Sequence, residues 1–216
     1  MSDTRVLREE DPEAARLLGE GWTVVAESWG ARLRDPDPQR LRALVDVATL
    51  AGYDVRELER HELGAVAGLE AVTAGDYPRT PATDVPARTR AVLEAMDARF
   101  VGAWAGDVLA AVTAVEPGEG LVETSFTSVH PEHRRRGLAA AVKAASVLVM
   151  LPGGARVFGT GGAAVNAGSL AMNARVGYLV EERWLSLRAP AARPADDAAG
   201  GSTGLAKAPR RGPSDF

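Results

Sequence analysis

Between Leu121 and Met150 the chain passes from strand to helix through one short, basic turn that contains glycine. Leu121–Val129 is rich in β-branched and aromatic residues at strand length, and Leu138, Val142, Ala145 and Val149 recur at helical spacing over 137–150. Only His130-Pro-Glu-His-Arg-Arg-Arg-Gly137 lies between them. A helix that starts directly after a strand leaves its first backbone N–H groups unpaired, with partial positive charge at that end. The three arginines add charge, Gly137 lets the backbone come close to a ligand, and Ala139 keeps the first turn narrow. Such a turn can cradle phosphate oxygens. The same sequence also suits a solvated basic turn over a core helix.

The rest of the chain builds a mixed sheet around this junction. Asp11-Pro12-Glu13 reads as an N-cap, a proline at the first helical position and an acid in the first turn, predicting a helix to about Leu18. A strand is expected over 22–29, with Gly30 at its far end, then a helix over 39–51 closed by Gly52. A short strand holds Val55 and Leu58, and an amphipathic helix carries Leu63, Val66, Leu69 and Val72. The proline-punctuated stretch 75–86 is a loop and 87–96 a helix. Strands over 99–104 and 108–115 join at Ala105-Gly-Asp107, a hairpin signal. After the central helix come a strand over 155–160, a glycine-rich turn, a helix over 168–175 and one or two strands over 178–187. Helices mixed with hairpins and a late β-α-β run define an α/β domain.

Several functions are excluded by composition. With no cysteine there is no thiolate nucleophile, no cysteine-bound zinc and no disulfide framework. Three scattered histidines make no metal cluster, so no metal is expected. Lys and Arg number 25 against 29 Asp and Glu, a net charge of −4, which provides no global field for nucleic acid. The first fifteen residues are charged and lack a signal peptide's apolar stretch, and no run reaches the roughly 20 apolar residues of a membrane span. A cytoplasmic protein is expected, with partners other than nucleic acid or membrane.

Two blocks then point to one family. Arg134-Arg-Arg-Gly-Leu-Ala139 resembles the Arg/Gln-x-x-Gly-x-Gly/Ala signature of the GNAT superfamily of N-acetyltransferases. Val129-His-Pro-Glu-His133 is similar to the strand end and turn that precede it there, and 166–178 resembles the second conserved block, an asparagine, a helix and a Gly-aromatic pair. The resemblance spans roughly 53–187. It implies a GNAT-like mixed, mostly antiparallel six- to seven-stranded sheet flanked by helices, with acetyl-CoA as co-substrate and a primary amine, on a small molecule or a protein, as acceptor. It further implies that the amides of Arg134, Arg135, Arg136, Gly137, Leu138 and Ala139 hold the pyrophosphate. Thr127 to Val129 would pair with the pantetheine arm, the N–H at Val129 polarising the acyl carbonyl, and Asn166 would contact that arm.

Two side chains are candidates for proton transfer. A lysine-type amine with a pKa near 10.4 must be neutral to attack, and the offset of Glu123, eleven residues before Arg134, resembles that of the base glutamate in the histone-acetylating branch of the family. Glu123 also reads as a solvated carboxylate on a strand face. The family often protonates the leaving thiolate with a tyrosine; here that position is Asn173, which can donate a hydrogen bond and cannot supply a proton. Water or Tyr77 would then serve. Glu70, Asp76 and Tyr77 are expected near the incoming amine. His130, His133 and Tyr178 read as turn and packing residues.

The domain reading is a 1–52 extension of helix, strand and helix, a 53–188 acetyltransferase-like domain and a disordered 189–216 tail. Helix, Gly-aromatic pair, strand, Glu and Trp recur at 15–29 and 173–184, so the extension reads as a remnant of a duplicated domain that adds a strand or covers an edge, and a homodimer through it is compatible. The alternative function is a catalytically weak CoA or acyl-CoA-binding regulatory module; an O-acyl transferase on the same scaffold also stays open.

Overall fold

The computed structural model describes residues 3–83 and 86–190, and the expected tail beyond 190 lies outside them. Strands β1 (Thr4–Arg8), β2 (Thr23–Arg34), β3 (Asp54–Glu57), β4 (Arg99–Ala105), β5 (Val108–Pro117), β6 (Val122–Val129), β7 (Val157–Ala163) and β8 (Leu179–Arg188) form one sheet in the order β1-β8-β2-β7-β6-β5-β4-β3. Every neighbouring pair is antiparallel except β6 and β7. The helices are α1 (Pro12–Gly19), α2 (Pro38–Leu50), α3 (Leu63–Thr73), α4 (Arg90–Ala95), α5 (Leu138–Met150) and α6 (Ala167–Val176).

The sheet has eight strands where six or seven were expected. The difference comes from residues 4–34. Strand β1 has no expected counterpart, because its five residues, Thr-Arg-Val-Leu-Arg, show no two-residue alternation and lie at an exposed edge. Strand β2 runs on past Gly30 to Arg34 and lies inside the sheet, paired with β8 on one side and β7 on the other. The β1-α1-β2 unit thus grips β8 from both sides, and α1 seals it by packing Ala14 and Leu17 on Leu185 and Leu187.

Helices α2, α5 and α6 cover one face. There Leu41, Ala140, Ala144, Val147 and Val176 enclose Phe158 and Val122. Helices α3 and α4 cover the other, with Leu63, Val66, Leu69 and Leu93 against Phe100, Leu109 and Val112. The caps follow the sequence: Asp11 and Asp37 each accept from the N–H two residues on (2.8 Å in both cases), each with proline at the next position. The stretch Gly159-Thr-Gly-Gly162, expected as a turn, is strand. Its glycines let neighbours lie flat on it, since a Cβ at Gly162 would sit 2.9 Å from the Trp29 ring. Among the described residues no helix is long and apolar enough to cross a membrane.

Because β2 satisfies ladder groups of two other strands, removing residues 1–34 strips both edges of β8 and one edge of β7. The truncated chain is expected to lose its cooperative thermal transition by circular dichroism. A sharp transition near that of the full chain would show that the segment is dispensable.

Candidate active site

Strands β6 and β7 are the two arms of a fork. They pair only at Val122↔Phe158 and Glu123↔Gly159 and then diverge. The cause lies in β6, where the register against β5 shifts between Phe126 and Thr124 and leaves Ser125 as an extra residue. Such a bulge bends its strand and increases the local twist. Over the remaining six residues, about 20 Å of extended chain, β6 presents an edge free of β7.

The direction of that edge can be read from its neighbours. His130 N–H donates to Ala110 O (2.8 Å) across the non-hydrogen-bonded Ala111↔Val129 pair, so even-numbered residues bond toward β5. Thr113 Oγ1 agrees, donating to Phe126 O at 3.0 Å. The N–H groups of Thr127 and Val129 therefore point into the fork. Arg88 Nη2 on Ser125 O (3.4 Å) and Arg134 Nε on Val129 O (3.3 Å) occupy carbonyls of the same edge. The Thr127 hydroxyl turns into the sheet and meets Thr113 Oγ1 at 2.8 Å.

The basic loop stands at the mouth of this fork. A single 3₁₀ turn, Pro131–His133, leads to Arg134, and then Arg135 (φ 59°) and Gly137 (φ 82°) adopt left-handed backbone. Glycine takes that conformation freely, and most side chains resist it by about 1–2 kcal/mol. No side chain caps α5, so the amides of Leu138 and Ala139 open its first turn toward the mouth. The Leu138 side chain itself is buried in the core. Arg134 and Arg135 line the groove. Arg136 turns away, donating to Tyr53 Oη (3.0 Å), which also meets His133 Nδ1 at 3.0 Å. That contact makes His133 a bonded partner of the core rather than a loose surface residue. Arg175, from the last turn of α6, brings its guanidinium to 4.0 Å from where a Cβ on Gly137 would lie.

A groove of about 1080 Å³ runs from this mouth along the fork. Asn166 caps α6, accepting from Ser169 N–H at 3.0 Å, and borders the groove. Asn173 is buried along the same wall, but its Nδ2 donates to Ser169 O (2.9 Å) and Oγ (3.3 Å), and its Oδ1 has no partner among the described residues. The free end of Asn173 is thus an acceptor. In this arrangement it offers no donor to a thiolate.

At the vertex, charge is concentrated on both faces. The Glu123 carboxylate lies over Gly159, and burial raises its pKa, partly offset by Arg32 and Lys143. Arg32 belongs to β2 and reaches Glu182 of β8 (3.4 Å), which is also held by Arg8 at 2.9 Å and Trp184 Nε1 at 3.2 Å. On the opposite face Lys143 of α5 is 1% exposed and donates to Thr160 Oγ1 at 2.7 Å. Burial lowers its pKa to about 7, against the pull of Glu123. Tyr178 is packed, as expected, with its hydroxyl on Thr124 and its pKa raised by burial.

The 75–83 loop straps the groove. Asp76 accepts from Arg134, and the Tyr77 hydroxyl bonds the backbone of Ala163, so adjacent residues touch the two arms of the fork. Burial raises the pKa of Tyr77. Glu70 is 6% exposed and already holds Arg88 (3.0 Å) and Ser128 Oγ (2.5 Å). Neither Glu70 nor Asp76 offers an unshared carboxylate to an acceptor, so the acidic lining expected there is internally neutralised.

Lys143, Arg175, Arg32 and Glu182 were not anticipated. Lys143 carried a signal, being a lone cation in a helix with no polar face. Arg32, Glu182 and Arg175 carried none, since only the sheet order and the packing of α6 bring them to the groove.

Neither a family model nor a curated protein matches the sequence. Solved structures do. A GCN5-related N-acetyltransferase from Kribbella flavida is similar at 23% identity and TM-score 0.58, over 89% of this chain and 70% of that one. A tandem GNAT protein from the clavulanic acid biosynthesis pathway is similar at 24% identity and TM-score 0.65, over 90% of this chain and 65% of that one. A GCN5-related N-acetyltransferase from Sphaerobacter thermophilus gives 16% identity and TM-score 0.63, over 87% and 59%. The chain spans less than two thirds of the latter two. At these identities the likeness establishes the GNAT fold.

Gly159→Ala tests the vertex. The new Cβ would collide with Glu123 Oε2, so the carboxylate must leave its place over β7. The expected cost is about 1–3 kcal/mol in urea denaturation, relieved in Gly159→Ala combined with Glu123→Ala; equal losses in both would mean the contact is not what strains the variant.

Proposed function

We propose that this chain, which carries the GNAT fold, transfers an acetyl group from acetyl-CoA to a primary amine by direct attack on the thioester. The observation that carries the reading is the fork itself: a free strand edge with the inward N–H groups of Thr127 and Val129, ending at an uncapped helix N-terminus ringed by Arg134, Arg135 and Arg175. An extended, anion-headed ligand fits that layout. Its phosphates meet the amides of 134–139, and its arm lies along Thr127 to Val129 and past Asn166.

Each residue then has a chemical task. The Val129 N–H points into the fork and supplies the hydrogen bond that stabilises negative charge on the acyl oxygen as the amine adds. Positioning the two reactants in one groove supplies much of the remaining acceleration. Glu123 accepts the proton of the attacking nitrogen, directly or through water. Burial raises its pKa, which moves a carboxylate toward the range where a base is effective near neutrality. Asn173, with its N–H groups held by Ser169, positions the wall beside the reacting atoms and donates no proton. Retention of a complete loop and of a desolvated carboxylate at the vertex favours turnover over a regulatory module that only binds CoA.

Two experiments test this. Gly137→Asp places a side chain on left-handed backbone and a carboxylate within reach of Arg175, where it substitutes for the ligand's own charge. Calorimetry with acetyl-CoA is expected to show binding in the native chain and none in the variant; unchanged affinity would remove the loop from the assignment. Glu123→Gln is expected to lower the rate by about 10²–10⁴-fold, measured as CoA thiol released with a panel of amines. Because a base works only when ionised and the Glu123 pKa is raised, the native rate falls as pH drops through a value above that of an ordinary carboxylate. The variant should lack that acidic limb, and an unaltered profile would leave Glu123 without a role as base.

A further inference from the structure

The vertex of the fork has a second titratable group, and nothing in the reading above uses it. Lys143 projects from the middle of α5 toward the first position where β6 and β7 no longer pair. Its helix is apolar all round, and neighbouring Ala140, Ala141, Val142 and Ala144 are buried with it. An ammonium carries three donors. Among the described residues they meet one hydroxyl, Thr160 Oγ1 at 2.7 Å, and the face of Tyr178, whose ring centroid lies 4.6 Å away. Glu123 attracts it electrostatically from the other face without forming an ion pair. Burying a cation so sparsely partnered is costly, and a leucine or methionine would fill the same space more favourably. Although Lys143 is almost wholly buried, both it and Thr160 border the groove.

We propose that Lys143 is the general acid that protonates the departing CoA thiolate, working across the vertex from Glu123. The inference rests on the acetyl-transfer reading. When the tetrahedral adduct collapses, the carbon–sulfur bond breaks and its electron pair goes to sulfur; a proton of Lys143 Nζ passes to that sulfur and gives the free thiol. The proton taken from the attacking nitrogen resides on Glu123. Its passage to the neutral Lys143 amine, directly or through water, restores both groups. The net change is one proton moved from amine to thiol, with no other reactant.

The groups facing Lys143 fit this role. Thr160 on β7 orients the ammonium, Tyr178 before β8 keeps its own proton because burial raises its pKa, and Glu123 on β6 is, among the described residues, the carboxylate that acts on it. Burial lowers the Lys143 pKa to about 7, so it is a stronger acid than an ordinary thiol at about 8.5 and transfer to sulfur runs downhill. Asn173, which faces the groove with an acceptor atom, leaves this task open.

The test compares the native protein with Lys143→Met. Acetyl-CoA affinity by calorimetry is expected to stay within about twofold. The turnover number, read as thiol release with an alanine-initiated peptide, a lysine peptide, spermidine and kanamycin as acceptors, is expected to fall about a hundredfold at pH 7 with little change in KM. The native turnover number should also decline on the alkaline side as Lys143 loses its proton, and the variant should lack that limb. Stability supplies a separate readout. The native lysine has a folded pKa of about 7 against 10.5 unfolded, so its penalty is complete below about 7 and vanishes as pH rises to 10.5. The variant should therefore melt higher than the native protein near pH 6, and the gap should close toward pH 10. Native-like turnover and limbs in Lys143→Met overturn the proposal while leaving acetyl transfer intact. Absence of thiol release by the native protein with every amine overturns the acetyl-transfer reading, and this proposal with it. Should the variant fail to fold, a native profile with no alkaline decline overturns the role of Lys143 by itself.

Discussion

The parting of two parallel strands after two paired positions sets the geometry of everything else in this molecule. A sheet interior ordinarily satisfies every backbone group, and an unpaired N–H or C=O carries a desolvation cost comparable to a lost hydrogen bond. Here a bulge at Ser125 bends β6 away from β7 while β5 continues to hold its other edge. The exposed carbonyls are partly repaid by arginines, Arg88 on Ser125 and Arg134 on Val129. The N–H groups of Thr127 and Val129 are left for a ligand. The βα junction then places the amide end of α5 at the open mouth, so the groove has donors along one wall and a positive end. Its chemistry follows from that polarity, with anion at the mouth and reacting atoms near the vertex.

The second constraint is that the fork must not spread further. Strand β2 supplies this by pairing with β7 from Ser28↔Ala163 to Arg34↔Val157 and with β8 along its other edge. Trp29 lies on Gly162 and donates to Ala163 O, while Tyr77 reaches the same backbone from the strap. The arm that leaves β6 is thus held by a segment far away in the chain. That same segment brings Arg32 to the vertex, where it moderates the rise in the Glu123 pKa. Structure and electrostatics of the site therefore share one dependence on residues 23–34.

How much of this could be read from the sequence varied with the range of the forces involved. Elements governed by local rules were legible: the Asp11 and Asp37 caps, the helix after Gly137 and the hairpin between β4 and β5 lie where propensity and turn chemistry place them. The phosphate-type loop was legible for the same reason, being one contiguous run. The fate of Gly159-Thr-Gly-Gly162 was not, because local sequence reads as a turn, whereas Trp29 and Glu123 need a side-chain-free strand to lie on. Nor could the direction of Arg136 be foreseen, since Tyr53 is distant in sequence. Glu70 and Asp76 looked like acceptor-binding acids until Arg88 and Arg134 proved to hold them.

Lys143 shows how a local anomaly acquires meaning only from long-range packing. In sequence it is one cation in an alanine-rich helix, and such a residue usually finds a polar face. This helix has none, because α2 covers it on one side and the sheet on the other. The ammonium can go only toward the gap that β6 and β7 leave, so the cost of burying it is bound to the existence of the fork. Glu123 reaches the same gap from the opposite face, resting on a glycine where any side chain would displace its carboxylate. Desolvation moves the two groups in opposite directions, the acid upward and the amine downward, which narrows the energy of passing a proton between them. One feature of the backbone thereby opens the groove and brings a base and an acid to proton affinities at which each can exchange with the other.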